Sequence, residues 1–397
     1  MRVLFCTTGG LGHLLPLRPL AAALRRGGHE VAWVTAPDAM VRLEGLGFDL
    51  FAAGPSFEAG RREFRAAHAD GAQLVGEPLS AFTFPRLFGA VLAPAMLDGV
   101  EQAVRHWGPD FVVHEPAALA APLVCQQLGL RNLTHGYGLR PPSQYLADAM
   151  SFFGAHWRAR GLDAPADGGL YRHLYLDVAP RSLQPPIKTL EDGVFRFNPY
   201  GTGNSDARDL PAEIRIALQG AATRGPRIYV TFGTVFNRSP ALITAARAAA
   251  KLGGAVVITV GADGDPEPIT KLGAHVSVHR FVDQATLLPH CDLVVSHGGA
   301  GTLLGAAAHG VAQLILPQAA DHFRNARALL SLNAGRAVEP ERQATEEVTA
   351  AMADALSSGA LSVAAGALAC EMSAMPHPAA AVRRLESWQV AALFGPR

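Results

Sequence analysis

Residues 281–326 read FVDQATLLPHCDLVVSHGGAGTLLGAAAHGVAQLILPQAADHFRNA, and the middle of this run decides the fold. Cys291-Asp292-Leu293-Val294-Val295-Ser296 reads as a buried strand, His297-Gly298-Gly299 as a turn, and Ala300-Gly301-Thr302 as the opening of a helix. A strand that feeds a helix through a glycine turn is the building unit of parallel α/β sheets. The same unit suits a diphosphate. Glycines let backbone N–H groups come close to phosphate oxygens, and a helix start carries unpaired N–H groups and a partial positive charge. His297 and Thr302 add side-chain donors.

Working outward, the pattern repeats on both sides. Val3 to Thr7 reads as an apolar strand, Gly9-Gly10-Leu11-Gly12-His13 as a turn, and Leu14 to Arg26 as a helix that Gly27-Gly28 stops. Pro16 falls in the first turn of that helix, where proline is tolerated. Further strands are expected at Glu30–Thr35 and Phe111–Glu115, and a helix from about residue 120 to Gly129. After residue 226 the series restarts, with strands at Arg227–Thr231, Ala255–Val260, Val276–Arg280, Asp292–Ser296 and Val311–Leu316. Two such series predict two doubly wound parallel-sheet domains with right-handed crossovers. Residues 198–226, rich in Pro, Gly, Asn and Asp, read as the linker, and Ala379–Val390 as a helix.

Composition narrows the function classes. The chain has 397 residues, 34 Lys+Arg balanced by 34 Asp+Glu, and 49% hydrophobic residues. It carries no basic tract for nucleic acid, no polybasic membrane anchor, and no apolar run read as long enough to span a bilayer. Met1–Gly10 fits a first strand better than a signal peptide, so a cytoplasmic protein is expected. The four cysteines, Cys6, Cys125, Cys291 and Cys370, lie far apart without a CxxC pair and read as free thiols. The turn at Gly10-Leu11-Gly12 lacks the third glycine of a dinucleotide fingerprint, since position 15 is Leu15. It carries His13 instead, and an imidazole, titrating near neutrality, is suited to taking a proton from a hydroxyl. Asp263-Gly264-Asp265 spells a metal-binding D-x-D but falls in a turn that Asp and Gly favour for conformational reasons, so no metal site is assigned. Of the 28 Phe, Trp and Tyr residues, 21 lie at or before residue 200. Many fall in stretches that read as irregular, among them Phe57, Phe64, Phe82, Phe84, Phe88, Tyr137, Tyr145, Phe152, Phe153 and Trp157; they read as an apolar small-molecule pocket or as loops packed on a core.

Together these motifs resemble one family over nearly the whole chain: the inverting, UDP- or TDP-sugar-dependent glycosyltransferases of the GT-B fold, especially the bacterial branch that decorates antibiotics and other natural products. The resemblance implies two facing Rossmann-like domains with a cleft between them. The acceptor domain would span 1–200, the linker 201–225, the nucleotide-sugar domain 226–378, and a C-terminal helix, 379–397, would cross back to the first domain. It implies His13 as general base beside Gly12, and Glu115 at the position where the family has an Asp that orients this base. It implies a diphosphate site at His297, Gly298, Gly299, Ala300, Gly301 and Thr302, whose helix terminus and histidine offset leaving-group charge without a metal. His297 stands 16 residues after Phe281 and 24 before Asp321, the family's spacing.

The same resemblance places Phe281, Val282 and Gln284 at the pyrimidine base, Thr234 near the phosphates, and Asp321 with His322 on the sugar hydroxyls. It leaves Phe57, Phe82, Phe84, Tyr137 and Phe152 for an apolar aglycone. The departures are Glu115, Asp283 and Ala312 where the family has Pro, Ala319 where it often has Gly, and His322 where Gln is commoner. The implied reaction moves a sugar, a TDP-deoxysugar first and UDP-glucose second, to a polyketide-like or phenolic hydroxyl, with no further cofactor and a monomer or weak homodimer as the working state. A nucleotide-sugar epimerase and a non-catalytic transferase partner are the competing readings.

Overall fold

The computed structural model describes residues 1–185, 193–200, 209–221 and 225–394, and the chain forms two compact units. The first comprises residues 1–179, 184–199 and 375–397; the second comprises 180–183 and 200–374. Each is built on a wholly parallel sheet.

In the first unit, Val3-Leu4-Phe5-Cys6 is fully buried, as a strand covered on both faces requires. This strand, β1 (Arg2–Cys6), pairs with β2 (Glu30–Thr35) on one side and β4 (Phe111–His114) on the other. With β3 (Asp49–Ala52), β5 (Arg131–His135), β6 (Tyr175–Asp177) and β7 (Val194–Arg196) the order is β3-β2-β1-β4-β5-β6-β7. The second unit runs β10-β9-β8-β11-β12-β13, from β8 (Arg227–Thr231), β9 (Ala255–Thr259), β10 (Val276–His279), β11 (Leu293–Ser296), β12 (Ala312–Ile315) and β13 (Gly335–Ala337). In both orders the first strand lies centrally and the chain winds outward twice, so loops after the strands collect at one sheet edge, where doubly wound folds bind ligands.

The helix expected over 14–26 begins earlier. It opens as a short turn at Leu11–Leu14, tightens at Leu15–Leu17 around Pro16, and continues as Arg18–Arg26. Five strands escape the sequence reading, β3, β5, β6, β7 and β13. They are short or carry polar residues that burial overrides, as in β5, where Asn132, Thr134 and His135 are all buried.

Two expectations are corrected. The aromatic-rich stretches are not irregular, apart from the loop holding Tyr137. Phe57 and Phe64 lie on the helix Phe57–Ala67, Phe82 and Phe84 on Gly76–Phe84, and Tyr145, Phe152, Phe153 and Trp157 on Ser143–Arg158. Phe88 lies on Pro85–Leu92, which is π-helical. And one helical run is long and apolar enough to cross a membrane by length and composition: Gly76–Trp107, 32 residues, with half of its apolar window buried inside the protein. Two shorter helices, Thr345–Ser357 and Gly359–Ala374, reach that mark only when joined across a 70° bend. The sequence pattern breaks the long run at Pro85 and Pro94. In the structure both prolines sit at the starts of successive helical segments, where a missing N–H costs little. The run's Leu87, Phe88, Leu92, Met96, Leu97 and Val100 are core residues, each contributing roughly 1.5–3 kcal/mol by burial.

Within the stretch read as linker, Ala212–Ala221 is a helix whose Ile214 and Leu218 pack in the second unit's core; residues 201–208 and 222–224 lie outside the described residues. The C-terminal helix Pro378–Phe394 belongs to the first unit. Its Glu386 meets His29 at 3.0 Å, and the Trp388 ring lies 3.8 Å beneath the Arg131 guanidinium. Cys6, Cys125 and Cys291 are buried free thiols and Cys370 is exposed.

Candidate active site

The first unit's site grows from the register of its sheet. Cys6 pairs with His114, so the residues that follow β1 and β4 leave the sheet side by side. Glu115 is the first residue past β4 and is fully buried. Thr8, past β1, gives its backbone N–H and its hydroxyl to Glu115 Oε1 at 3.1 and 2.9 Å, and the Ala117 N–H donates to Oε2 at 2.5 Å. His13 sits in the turn-like helix Leu11–Leu14 that Gly10 starts, with Gly12 exposed beside it. Its Nδ1 lies 3.2 Å from Glu115 Oε2, off the straight hydrogen-bond line, and its side chain is 16% exposed. Burial pushes the Glu115 carboxyl up, but His13 and the N–H groups of Ala117 and Thr8 outweigh it and hold the pKa below the ordinary value. The carboxylate is therefore charged at neutral pH, with Nε2 the imidazole nitrogen left for other partners. His114 points elsewhere. Its Nε2 meets Asn132 Nδ2 at 3.0 Å, and burial lowers its pKa to about 4, so it is a neutral core residue.

The aromatic residues assigned to the acceptor separate into two groups. Tyr137, Phe88 and Phe57 surround the His13 ring at centroid distances of 4.5, 5.2 and 6.2 Å. Phe84 joins them through Phe88, 5.0 Å away. Phe82 and Phe152 form a second group around His68, at 6.2 and 6.4 Å.

In the second unit Ser296 pairs with Thr231, which brings the loops after β11 and β8 together. His297-Gly298-Gly299 forms the turn, and Ala300-Gly301-Thr302 the first turn of the helix Ala300–Ala308. Gly298 has φ +89, a conformation glycine adopts without strain. A Cβ on Gly299 would stand 2.6 Å from His297 Nε2. The helix has no side-chain cap and no acidic residue in its first turn, so its leading N–H groups remain open donors. Thr234 is exposed in the β8 loop, next to Gly233, whose own Cβ position would press on the His297 ring.

His297 is enclosed by Phe232, Phe236 and His322 at 5.9, 5.6 and 4.5 Å. Burial and then the neighbouring His322 lower its pKa to about 3. It is a neutral ring at pH 7, and what it offers is a hydrogen bond rather than a charge. His322 Nδ1 accepts the N–H groups of Gln318 and Ala319 at 3.3 and 3.1 Å, which leaves the proton on Nε2, 4.0 Å from Asp321 Oδ1. Asp321 stands at the helix start but makes no cap bond there; its Oδ2 accepts instead from Asn325 Nδ2 at 2.8 Å.

Past β10, Phe281 is 82% exposed and Val282 is buried. Asp283, where the family has Pro, caps the short helix Gln284–Leu287 through the Ala285 N–H and the Thr286 hydroxyl. Gln284 Nε2 donates to Thr302 Oγ1 and to the Tyr229 hydroxyl, each at 3.3 Å. Tyr229 continues through Thr259 at 2.9 Å and Thr231 at 2.8 Å to the Gly233 N–H at 3.4 Å. A buried hydroxyl chain thus links the assigned base-binding residue to the loop of Thr234. Asp263 and Asp265 do lie in a turn: the Asp263 carbonyl accepts from Arg238 and Asp265 Oδ1 from the Glu267 N–H. Among the described residues no three His, Cys, Asp or Glu side chains are grouped as a metal would need.

Residues 244–388 match the family model described as erythromycin biosynthesis protein CIII-like, C-terminal domain. The chain is 30% identical to the L-demethylnoviosyl transferase of Streptomyces niveus, with 98% of each chain covered. It is 30% identical to the elloramycin glycosyltransferase ElmGT of Streptomyces olivaceus, covering 98% of this chain and 97% of that one. Its fold superposes on the spinosyn rhamnosyltransferase SpnG complexed with thymidine diphosphate at a TM-score of 0.75, 27% identity, and coverage of 97% and 100%. The chain belongs to the GT-B-fold glycosyltransferases of bacterial natural-product biosynthesis.

Sequence reasoning missed several residues of this transferase that hold the two sites. Thr8 and the Ala117 amide fix Glu115. Asn325 ties Asp321 to the turn, donating also to the Gly298 carbonyl at 2.8 Å. Its place four residues after Asp321, on the same helix face, is the one signal the sequence offered.

Proposed function

We propose that this transferase moves a deoxysugar from a TDP-linked donor to a hydroxyl of an apolar natural-product aglycone such as a polyketide, inverting the anomeric configuration, without a metal. The observation that carries the reading is His13 Nδ1 at 3.2 Å from the buried Glu115 carboxylate. A charged carboxylate at Nδ1 holds the imidazole with Nε2 free to accept a proton and stabilises the imidazolium that results. His13 Nε2 takes the acceptor hydroxyl proton. The oxygen forms its bond to the anomeric carbon on the face opposite the diphosphate. The carbon–phosphate-oxygen bond breaks, and its electron pair leaves with TDP. One displacement inverts the centre.

The donor reading rests on the uncapped helix Ala300–Ala308 and the open turn before it, with His297 and Thr234 as further donors to the diphosphate. Gln284, beside Phe281 and Val282, serves the base; Asp321 and His322 Nε2 serve the sugar. The thymidine diphosphate held by SpnG supports TDP over UDP. Phe57, Tyr137 and Phe84, grouped about His13, serve the acceptor.

The test is calorimetric titration with TDP and UDP in EDTA, followed by turnover of His13→Ala. TDP binding in EDTA together with a roughly hundredfold to ten-thousandfold loss of rate on His13→Ala is expected. Stronger UDP binding would shift the donor to UDP-glucose and the acceptor to phenols. Near-full activity of His13→Ala would remove it as the base, and retained anomeric configuration in the product would end the single-displacement scheme.

A further inference from the structure

Behind Glu115 stands a buried line of donors with one sense. The Trp33 indole, which can only donate, gives its N–H to Thr7 Oγ1 at 2.9 Å. The Thr7 hydroxyl donates onward to Thr35 Oγ1 at 3.1 Å, and the Thr35 hydroxyl to the Thr8 carbonyl at 3.3 Å. Thr8 then gives both its donors, N–H and hydroxyl, to Glu115 Oε1 at 3.1 and 2.9 Å. Trp33, Thr7, Thr35, Thr8 and Glu115 are each at most 1% exposed, so these bonds act at low dielectric.

The two oxygens of Glu115 are thereby made unequal. Oε1 holds Thr8, while Oε2 accepts the Ala117 N–H at 2.5 Å and faces His13 Nδ1 at 3.2 Å. A carboxylate turns broadly about its terminal bond, so its donors decide its plane. Thr8 and His13 also share one short stretch of chain, in which the His13 N–H bonds the Gly10 carbonyl at 2.9 Å. That stretch carries both the imidazole and the hydroxyl that turns the carboxylate. The other titratable groups against Glu115 are Cys6 and His114. Burial, then Glu115, pushes the Cys6 thiol well up, and burial lowers His114 to about 4, so neither is charged at neutral pH.

We propose that Thr8 is a positioning residue of the transfer reaction, its hydroxyl setting the plane of the Glu115 carboxylate and so placing Oε2 at His13 Nδ1. The inference rests on the general-base reading above. Without the hydroxyl, Oε1 keeps one donor of two, and the carboxylate is freer to turn and less able to hold its charge where burial opposes charge.

The variants are Thr8→Val, which keeps the branched shape, Thr8→Ala, which sets no methyl against the carboxylate, and Thr8→Ser, which restores the hydroxyl. Two spectroscopic readouts use the full-length protein without substrate. Infrared titration follows the carboxylate band that Glu115→Gln removes, and 15N-histidine NMR follows the ring nitrogens whose signals His13→Ala removes. Thr8→Val and Thr8→Ala should lose the carboxylate band at higher pH than the wild type and turn a His13 protonated at Nδ1 into a mixture of tautomers. Thr8→Ser should resemble the wild type. In turnover, Thr8→Val should lower kcat roughly tenfold to hundredfold, the scale of one hydrogen bond to a charged group, with acceptor KM unchanged. Added to Glu115→Gln, it should lower kcat no further. An unmoved carboxylate titration and tautomer in both Thr8→Val and Thr8→Ala, an equal change in Thr8→Ser, or a full further loss on top of Glu115→Gln would each overturn the assignment. A moved titration in a protein whose His13→Ala variant keeps its activity would keep the hold of Thr8 on Glu115 and defeat the general-base reading; an unmoved titration with activity lost in His13→Ala would do the opposite.

Discussion

Asn325 holds Asp321 and the phosphate-side turn with one amide group: its Nδ2 lies 2.8 Å from Asp321 Oδ2 and 2.8 Å from the Gly298 carbonyl. The bond to the Gly298 carbonyl is buried and the one to Asp321 half-buried, so Asn325→Ala takes this donor from both acceptors. The expected cost is about 1–3 kcal/mol of stability, with a severalfold rise in donor KM. Chemical denaturation and donor kinetics check it, and an unchanged KM would detach Asn325 from the donor site.

Glu115 should behave as a positioning group for His13. Glu115→Gln keeps the shape but removes the charge that His13 faces. It is expected to lower kcat roughly a hundredfold to ten-thousandfold, with acceptor KM little changed. Glu115→Asp, the residue the family carries, should retain more activity than Glu115→Gln. Equal activity of the two variants would show that the charge does not matter.

Acid should destabilise the second unit through its histidines. His297 and His322 have folded pKa values of about 3 against an ordinary 6.5. The folded protein therefore binds fewer protons than the unfolded chain between these values. Stability is complete above about 6.5 and falls as the pH drops below it, by about 1.4 kcal/mol per pH unit for each histidine. Glu115, with its folded pKa lowered, adds loss in the same direction as pH falls through that value. Melting temperature measured from pH 7 to 4 should decline less steeply in His322→Gln, and a parallel decline would contradict the neutral-histidine picture.

Ala320 has φ +53 immediately before Asp321. The left-handed conformation costs a non-glycine residue roughly 1 kcal/mol. Ala320→Gly should raise the melting temperature or leave it level despite glycine's greater unfolded freedom, whereas Ala319→Gly, one residue earlier, should lower it. Differential scanning calorimetry separates the two.

The alternation of apolar strands with glycine turns made the central strands of both sheets legible. β1, β2, β8 and β11 are continuous apolar runs, and burial on both faces leaves that mark on a sequence. β5 was invisible because its Asn132 and Thr134 are satisfied by neighbours distant in the chain, as Thr134 is by the Leu170 carbonyl at 2.6 Å. His13 and His297 could be found because glycine turns advertise them. Asn325 and Thr8 could not, since their importance lies in which atoms they meet. The proline-broken stretch from Gly76 to Trp107 hid a single helix, because a proline at a segment start and one in a loop look alike in sequence.

The π-helical segment Pro85–Leu92 gives that helix a phase. Each widened turn accommodates one more residue than an α-turn, so Phe88 and the residues after it stand where they do relative to Phe84 because the winding is locally slack. Deleting a single residue there would let the run tighten to regular winding, and the tighter winding of the residues that remain would offset most of the roughly 100° that one residue contributes in an α-helix. A one-codon loss is thus buffered in this segment, where in a regular helix the same loss would turn one end against the other.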